Sequence, residues 1–169
     1  MVFRSQMGAK QYEGAMDTSD GMRHFLVVDA PKYGSRDKAQ LLSVVVDDDE
    51  SVRESLPDLL REFGFAALAF SSAQEFLSSG CVDETSCLIL DVAMPGMSGP
   101  ELQQELQRRG KHIPIVFITG RRDDQIRAQV LKQGAAGFLL KPFSDIDLLT
   151  AIKTALHGSS GPAQGLLGK

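Results

Sequence analysis

From about Leu41 to His157, apolar runs of four or five residues alternate with amphipathic stretches of roughly ten to fourteen. The short runs fit buried strands and the longer stretches fit helices. Their alternation predicts a parallel sheet covered on both faces. Strands are expected at 42–46, 65–70, 87–90, 114–118 and 136–140, and helices near 51–63, 72–78, 99–109, 123–133 and 144–157. Val52, Leu56, Leu59, Leu60 and Phe63 recur at helical spacing, and Gly64 supplies the stop. Ser72 is expected to cap the second helix with Glu75 as its capping-box partner. Pro100 suits the first turn of the third helix, where its missing N–H is harmless. Ser144 is expected to cap the last helix, whose apolar face is Leu148, Leu149, Ile152, Ala155 and Leu156. Pro57 removes a hydrogen bond inside the first helix, which predicts a kink or an irregular turn there.

The periodic region defines one domain, 41–157. Residues 1–40 are rich in Gly and charge, carry little periodicity and are expected to be mostly disordered. Within them Phe25-Leu26-Val27-Val28-Asp29 imitates the first strand, but neither an acidic cluster nor an amphipathic helix follows. Residues 158–169, GSSGPAQGLLGK, read as a flexible tail, too short for a helix-turn-helix. Net charge is −4, so there is no electrostatic case for direct nucleic-acid binding. No apolar run approaches the roughly 18 residues of a membrane span, and no secretory h-region is present. Cys81 and Cys87 match no common zinc spacing and are expected to be reduced thiols of a cytoplasmic protein.

The chemistry gathers at the strand ends. Leu88-Ile89-Leu90 runs into Asp91, Val44-Val45-Val46 into Asp47-Asp48-Asp49, Ile115–Ile118 into Thr119-Gly120, and Gly137–Leu140 into Lys141-Pro142. Open α/β sheets bind ligands beyond the carboxyl ends of their strands. Each residue taken alone has a plain reading as a turn, cap or solvated surface group. Together, at one edge of one sheet, they can bind a divalent cation and hold a phosphoryl group. A cation between a carboxylate nucleophile and a phosphoryl group removes their mutual repulsion. Mg²⁺ needs only one or two carboxylates, because it keeps several waters. Asp48 and Asp91 are the expected ligands, with Asp47 holding a metal-bound water and the Ala93 carbonyl as a further donor. Lys141 would supply positive charge to phosphoryl oxygens, and Thr119 a hydroxyl.

These residues resemble a known family. From about Ser43 to Ala155 the chain is similar to the receiver domain of two-component response regulators, through VVVDDDESVR, LILDVAMPGMSG, VFITG and GFLLKPF. SLPDLLREFGF, the FITG run and KPF are similar to receivers that precede LuxR-type helix-turn-helix output domains. The resemblance implies a flavodoxin-like, doubly wound five-stranded parallel sheet of order 2-1-3-4-5. It makes Asp91 the phosphoacceptor, Asp47 and Asp48 the acidic pair, Thr119 the switch hydroxyl and Lys141 the family's lysine. Arg53, five residues beyond Asp48, fixes the register of the triplet and leaves Asp49 as the spare acid. The switch aromatic falls on Phe138, which lacks a phenolic hydroxyl, so a switch through it acts by packing alone. Gly120 leaves room near the site, and Arg121-Arg122 read as solvated arginines that could also attract phosphate.

The function so implied is a bacterial, cytoplasmic phosphoprotein that takes a phosphoryl group from a sensor histidine kinase onto Asp91 with Mg²⁺. It would catalyse only its own phosphorylation and dephosphorylation, so it is not expected to be an enzyme on a free substrate. The partner surface is expected on the fourth helix, fifth strand and fifth helix, where phosphorylation would promote a homodimer. Two alternatives compete. A binding-only receiver would lack phosphoacceptor chemistry, against which the full set of Asp, Thr and Lys stands. An aspartate-dependent phosphatase of the haloacid-dehalogenase type needs a second acid two residues after the nucleophile, where this chain has Ala93.

Overall fold

Leu42, Ser43, Val44, Val45 and Val46 are all buried, which is what a strand covered on both faces demands. They form an interior strand of the sheet in the computed structural model, which describes residues 40–158. The elements follow in strict alternation: β1 (Leu42–Val46), α1 (Glu50–Glu62), β2 (Ala66–Phe70), α2 (Ala73–Ser78), β3 (Thr85–Asp91), α3 (Gly99–Arg108), β4 (Ile115–Thr119), α4 (Asp124–Lys132), β5 (Gly137–Leu140) and α5 (Asp145–Gly158). A single 3₁₀ turn, Val82–Glu84, precedes β3. The five strands are parallel in the order β2-β1-β3-β4-β5. The flavodoxin-like order expected from the sequence is therefore the observed one. Expectations for residues 1–39 and 159–169 lie outside the described residues.

The pleat divides the apolar residues between two layers. Val44, Val46, Leu88, Leu90 and Phe117 pack with Phe76 of α2, Leu102 and Leu106 of α3 and Val130 of α4. Val45, Ile89, Val116 and Ile118 face the opposite way, onto Leu56 and Leu60 of α1 and Leu148, Ile152 and Ala155 of α5. Full burial of each such side chain contributes about 1.5–3 kcal/mol, so both layers are substantial. The chain leaves β1 for β2 on one side and returns to β3 on the other. A crevice therefore opens beyond the C-terminal ends of β1 and β3.

The caps largely follow the expected residues. Ser72 Oγ accepts the Glu75 N–H at 3.1 Å, while the Glu75 carboxylate accepts from the Ser71 N–H at 2.8 Å, one residue earlier than the capping-box expectation. Ser144 and Asp147 cap α5 reciprocally. A full capping box at Ser98 and Glu101, not anticipated, starts α3 with Pro100 in its first turn. Pro57 sits buried inside α1, which runs unbroken to Glu62, so the irregular turn does not occur. Leu56 and Leu60 on either side are held by the sheet, and this packing carries the helix past one missing hydrogen bond.

Strand β3 differs most from expectation. It begins at Thr85 rather than Cys87 and includes Asp91, which pairs with Ile118. The pairing with β1 slips past Ser86, whose Oγ accepts the Leu42 N–H at 3.3 Å. A polar side chain thus replaces a ladder bond, and a polar start hid two strand residues from the apolar pattern.

Gly99 lets α3 begin directly against the end of β3. A Cβ there would lie 2.3 Å from the Asp91 carbonyl oxygen and 3.1 Å from the Phe117 ring. Gly120 has open space around the same position. Gly99→Ala is therefore expected to cost about 1–3 kcal/mol in urea unfolding, and Gly120→Ala no more than about 0.5 kcal/mol. Equal effects of the two substitutions would contradict the close approach of α3 to Asp91.

Candidate functional site

Four loops meet at the crevice. Asp47 is the first residue beyond β1, and its N–H donates to the Phe70 carbonyl at 3.2 Å, extending the ladder one step past the strand. Its side chain is fully buried, with Oδ1 accepting the Asp49 N–H at 2.9 Å and Oδ2 accepting Lys141 Nζ at 2.7 Å. Asp48 is exposed at the crevice mouth. Asp91 ends β3 and is only 6% exposed. One carboxylate oxygen from each of Asp47, Asp48 and Asp91 lies within 4.8 Å of the others. Lys141 follows β5 directly. Its backbone N–H donates to the Thr119 carbonyl at 2.7 Å, and its Nζ stands 3.7 Å from Asp91 Oδ1.

Asp49 does a different job. Its Oδ1 accepts the Ser51 N–H at 2.9 Å and the Ser51 hydroxyl at 2.7 Å, so it is the N-cap of α1. Those hydrogen bonds, the Ser51 hydroxyl first, hold its carboxyl below the usual range. The third acid of the triplet is thus absorbed by the helix, and the first two are left facing Asp91.

Among the described residues, three carboxylates share this space with a single ammonium, that of Lys141. Burial, and then the charge of Asp47, push the Asp91 carboxyl up to about 7, against the pull of Lys141. For Lys141 burial works against the charge, but the hydrogen bond and charge of Asp47, joined by Asp91, outweigh it and raise the amine. An uncompensated cluster of hard oxygen donors, partly open to water, fits a divalent cation of the Mg²⁺ type. Asp47, Asp48 and Asp91 are the side chains that would hold it.

The structure brings Asp47, Asp48, Asp91 and Lys141 together, as the sequence led us to expect. Thr119 is buried at the end of β4. Its Oγ1 donates to the Arg121 carbonyl and accepts the Arg121 N–H, each at 3.2 Å, so its hydroxyl is engaged by its own loop. Arg121 and Arg122 are exposed, and Arg122 lies 3.9 Å from Asp124. Phe138 pairs with Phe117 in the sheet and packs half-buried against the layer that holds Val130. Ala93 is exposed in the loop after Asp91. Two residues gained roles that sequence reasoning had not assigned. Gly99 seats α3 beneath Asp91, for which the SGPE start of α3 was the available signal. Arg53 Nη1 donates to the Asp47 carbonyl at 3.0 Å, a bond across six residues that no spacing rule indicates.

Comparison with known proteins follows the same lines. The family model described as response regulator receiver domain matches residues 44–153. Nodulation protein W of Bradyrhizobium diazoefficiens is 50% identical over 111 residues, 66% of this chain and 49% of that protein. Transcriptional regulatory protein FixJ of Azorhizobium caulinodans is 42% identical over 116 residues, 69% of this chain and 55% of that protein. The chain spans about half the length of these curated relatives. Among solved structures, the response regulator StyR superposes with a TM-score of 0.66 at 46% identity, covering 70% of this chain and 60% of that one. The FixJ-N crystal structure matches with a TM-score of 0.66 at 34% identity, covering 74% of this chain and all (100%) of that one. No helix among the described residues is long and apolar enough to cross a membrane.

The raised Asp91 carboxyl has a consequence for stability. Its folded value of about 7 lies above the roughly 3.9 of an unfolded aspartate. Between those values the folded chain holds a proton that the unfolded chain has lost. Stability therefore falls as pH rises through this window, and the full cost is present above it. In metal-free buffer at pH 8, Asp91→Asn should stabilise the protein by about 1–3 kcal/mol, with the gain fading towards pH 4. Denaturant titrations at the two pH values check this. A gain independent of pH, or a loss at pH 8, would contradict the like-charge account.

Proposed function

The chain belongs to the response regulator receiver domain family of two-component systems, and on that footing we propose that Asp91 is its phosphoacceptor. The observation that carries the proposal is the buried strand-end Asp91, flanked by Asp47 and Asp48 and reached by Lys141. The donor would be the phosphohistidine of a sensor kinase. An ionised Asp91 oxygen attacks phosphorus in line, the O–P bond forms and the P–N bond breaks. The electron pair of that bond returns to the imidazole, which leaves and takes up a proton from solvent. Water later cleaves the aspartyl phosphate to carboxylate and inorganic phosphate. The protein thus acts on itself and not on a free substrate.

The residues divide the work. Asp91 must be ionised to attack, and a carboxyl raised to about 7 is only partly so at neutral pH without added positive charge. Mg²⁺ held by Asp47, Asp48 and Asp91 would supply that charge and neutralise the phosphoryl oxygens. Lys141 Nζ, now bonded to Asp47 and near Asp91, is within reach of a phosphoryl group on Asp91. Thr119 would exchange its bonds to the Arg121 peptide for one to the phosphoryl group. That exchange would release the loop leading into α4, with Phe138 following by repacking against Val130. Leu131, Leu140 and Ile146 give α4, β5 and α5 an exposed apolar surface. We assign it to partner or homodimer contact in the phosphorylated state.

Acetyl phosphate with Mg²⁺ should add one phosphoryl group to the protein by intact mass, and chelation with EDTA should prevent it. Asp91→Asn should show no adduct, because an amide is a poor nucleophile. A stoichiometric adduct on the variant would overturn the assignment.

A further inference from the structure

Asp48 is the exposed member of the acidic set, yet the peptide units on both sides of it are pinned. The N–H of the 48–49 peptide donates to Asp47 Oδ1 at 2.9 Å. The carbonyl of the 47–48 peptide accepts Arg53 Nη1 at 3.0 Å. The main chain of Arg53 is seated in the first turn of α1, where its N–H donates to the carbonyl of the N-cap Asp49 at 3.1 Å. The Asp47 carbonyl lies past the end of β1 and before the first helical turn, so neither element's ladder satisfies it. A side chain from the helix fills that role, and a buried carbonyl left bare would be costly.

Resting on the reading that Asp47, Asp48 and Asp91 hold a divalent cation, we propose that Arg53 is a positioning residue for the cation site. It clamps the 47–48 peptide, and with the Asp47–Asp49 bond it fixes the backbone angles of Asp48 on both sides. The Asp48 carboxylate is thereby kept against Asp91, within 4.8 Å, before any cation arrives. Losing one clamp frees the peptide to rotate and lets the ligand oxygen drift, and sites tolerate only about 0.5 Å of such drift.

The sign of the effect separates positioning from charge. Arg53 carries a positive charge beside an acidic cluster. If it acted only through that charge, removing it would tighten cation binding by relieving repulsion. If it positions Asp48, removing it weakens binding, on the scale of lost outer-shell partners in metal sites, about tenfold or more.

The test is a Mg²⁺ titration of the full chain by calorimetry, repeated with Mn²⁺, for wild type, Arg53→Met and Arg53→Lys. Arg53→Met keeps most of the stem and removes both donors and charge. We expect at least tenfold weaker binding for Arg53→Met. Arg53→Lys, which keeps the charge but not the planar reach, should also bind more weakly than wild type. Near-UV circular dichroism of the metal-free variants should match wild type. Binding by Arg53→Met that equals or exceeds wild type overturns the positioning role and leaves the metal site standing. Absence of Mg²⁺ binding by wild type overturns both. If Arg53→Met is unfolded, the Arg53→Lys titration decides: unchanged affinity overturns the proposal and weakened affinity supports it.

Discussion

Everything at the functional edge follows from crowding three carboxylates into a crevice with one ammonium. Asp47 is fully buried and Asp91 nearly so, and Asp48 completes a triangle no more than 4.8 Å across. Lys141 reaches both buried acids but cannot balance three. The surplus shows in the Asp91 carboxyl, which burial and Asp47 drive to about 7. A site that holds such a surplus is poised to gain from any added positive charge.

The fold exists, in this view, to hold the mismatch in place. Two apolar layers fix β1 and β3 as neighbours, and the reversal of strand order opens the crevice at their ends. Gly99 closes the base by letting α3 start against the Asp91 carbonyl. Asp49 diverts the third acid into capping α1, which keeps the crevice from gaining a fourth charge. Each of these is a backbone or packing device, and none touches the reacting atoms. They explain why a site of so few residues depends on most of the domain.

Much of this was legible in the sequence because it rests on period and order. Continuous apolar runs located all five strands, and their polar ends named Asp47, Asp48, Asp91, Thr119 and Lys141. The extension of β3 to Thr85 escaped because a polar start and a bulge at Ser86 break the apolar pattern. At Pro57 the expected irregular turn does not form, because the rule for proline concerns one lost bond, whereas Leu56 and Leu60 on the sheet decide whether the helix continues. The Arg53 bond to the Asp47 carbonyl was not legible at all. It joins a side chain to a backbone group, and nothing in residue type or spacing records that orientation. The Thr119 hydroxyl was placed correctly at its strand end. Its engagement by the Arg121 N–H and carbonyl depends on the conformation of the loop, which residue type does not record.

The claim that the charge-crowded aspartate at the end of β3 is the reacting group is open to direct chemical mapping. Treating the acetyl-phosphate-labelled protein with borohydride reduces an aspartyl phosphate to homoserine at the labelled position. Peptide sequencing by mass spectrometry should then find homoserine at position 91 and unmodified aspartate at positions 47, 48 and 49. Homoserine at 47 or 48 in place of 91, or at none of these positions despite a phosphate adduct, would contradict the account.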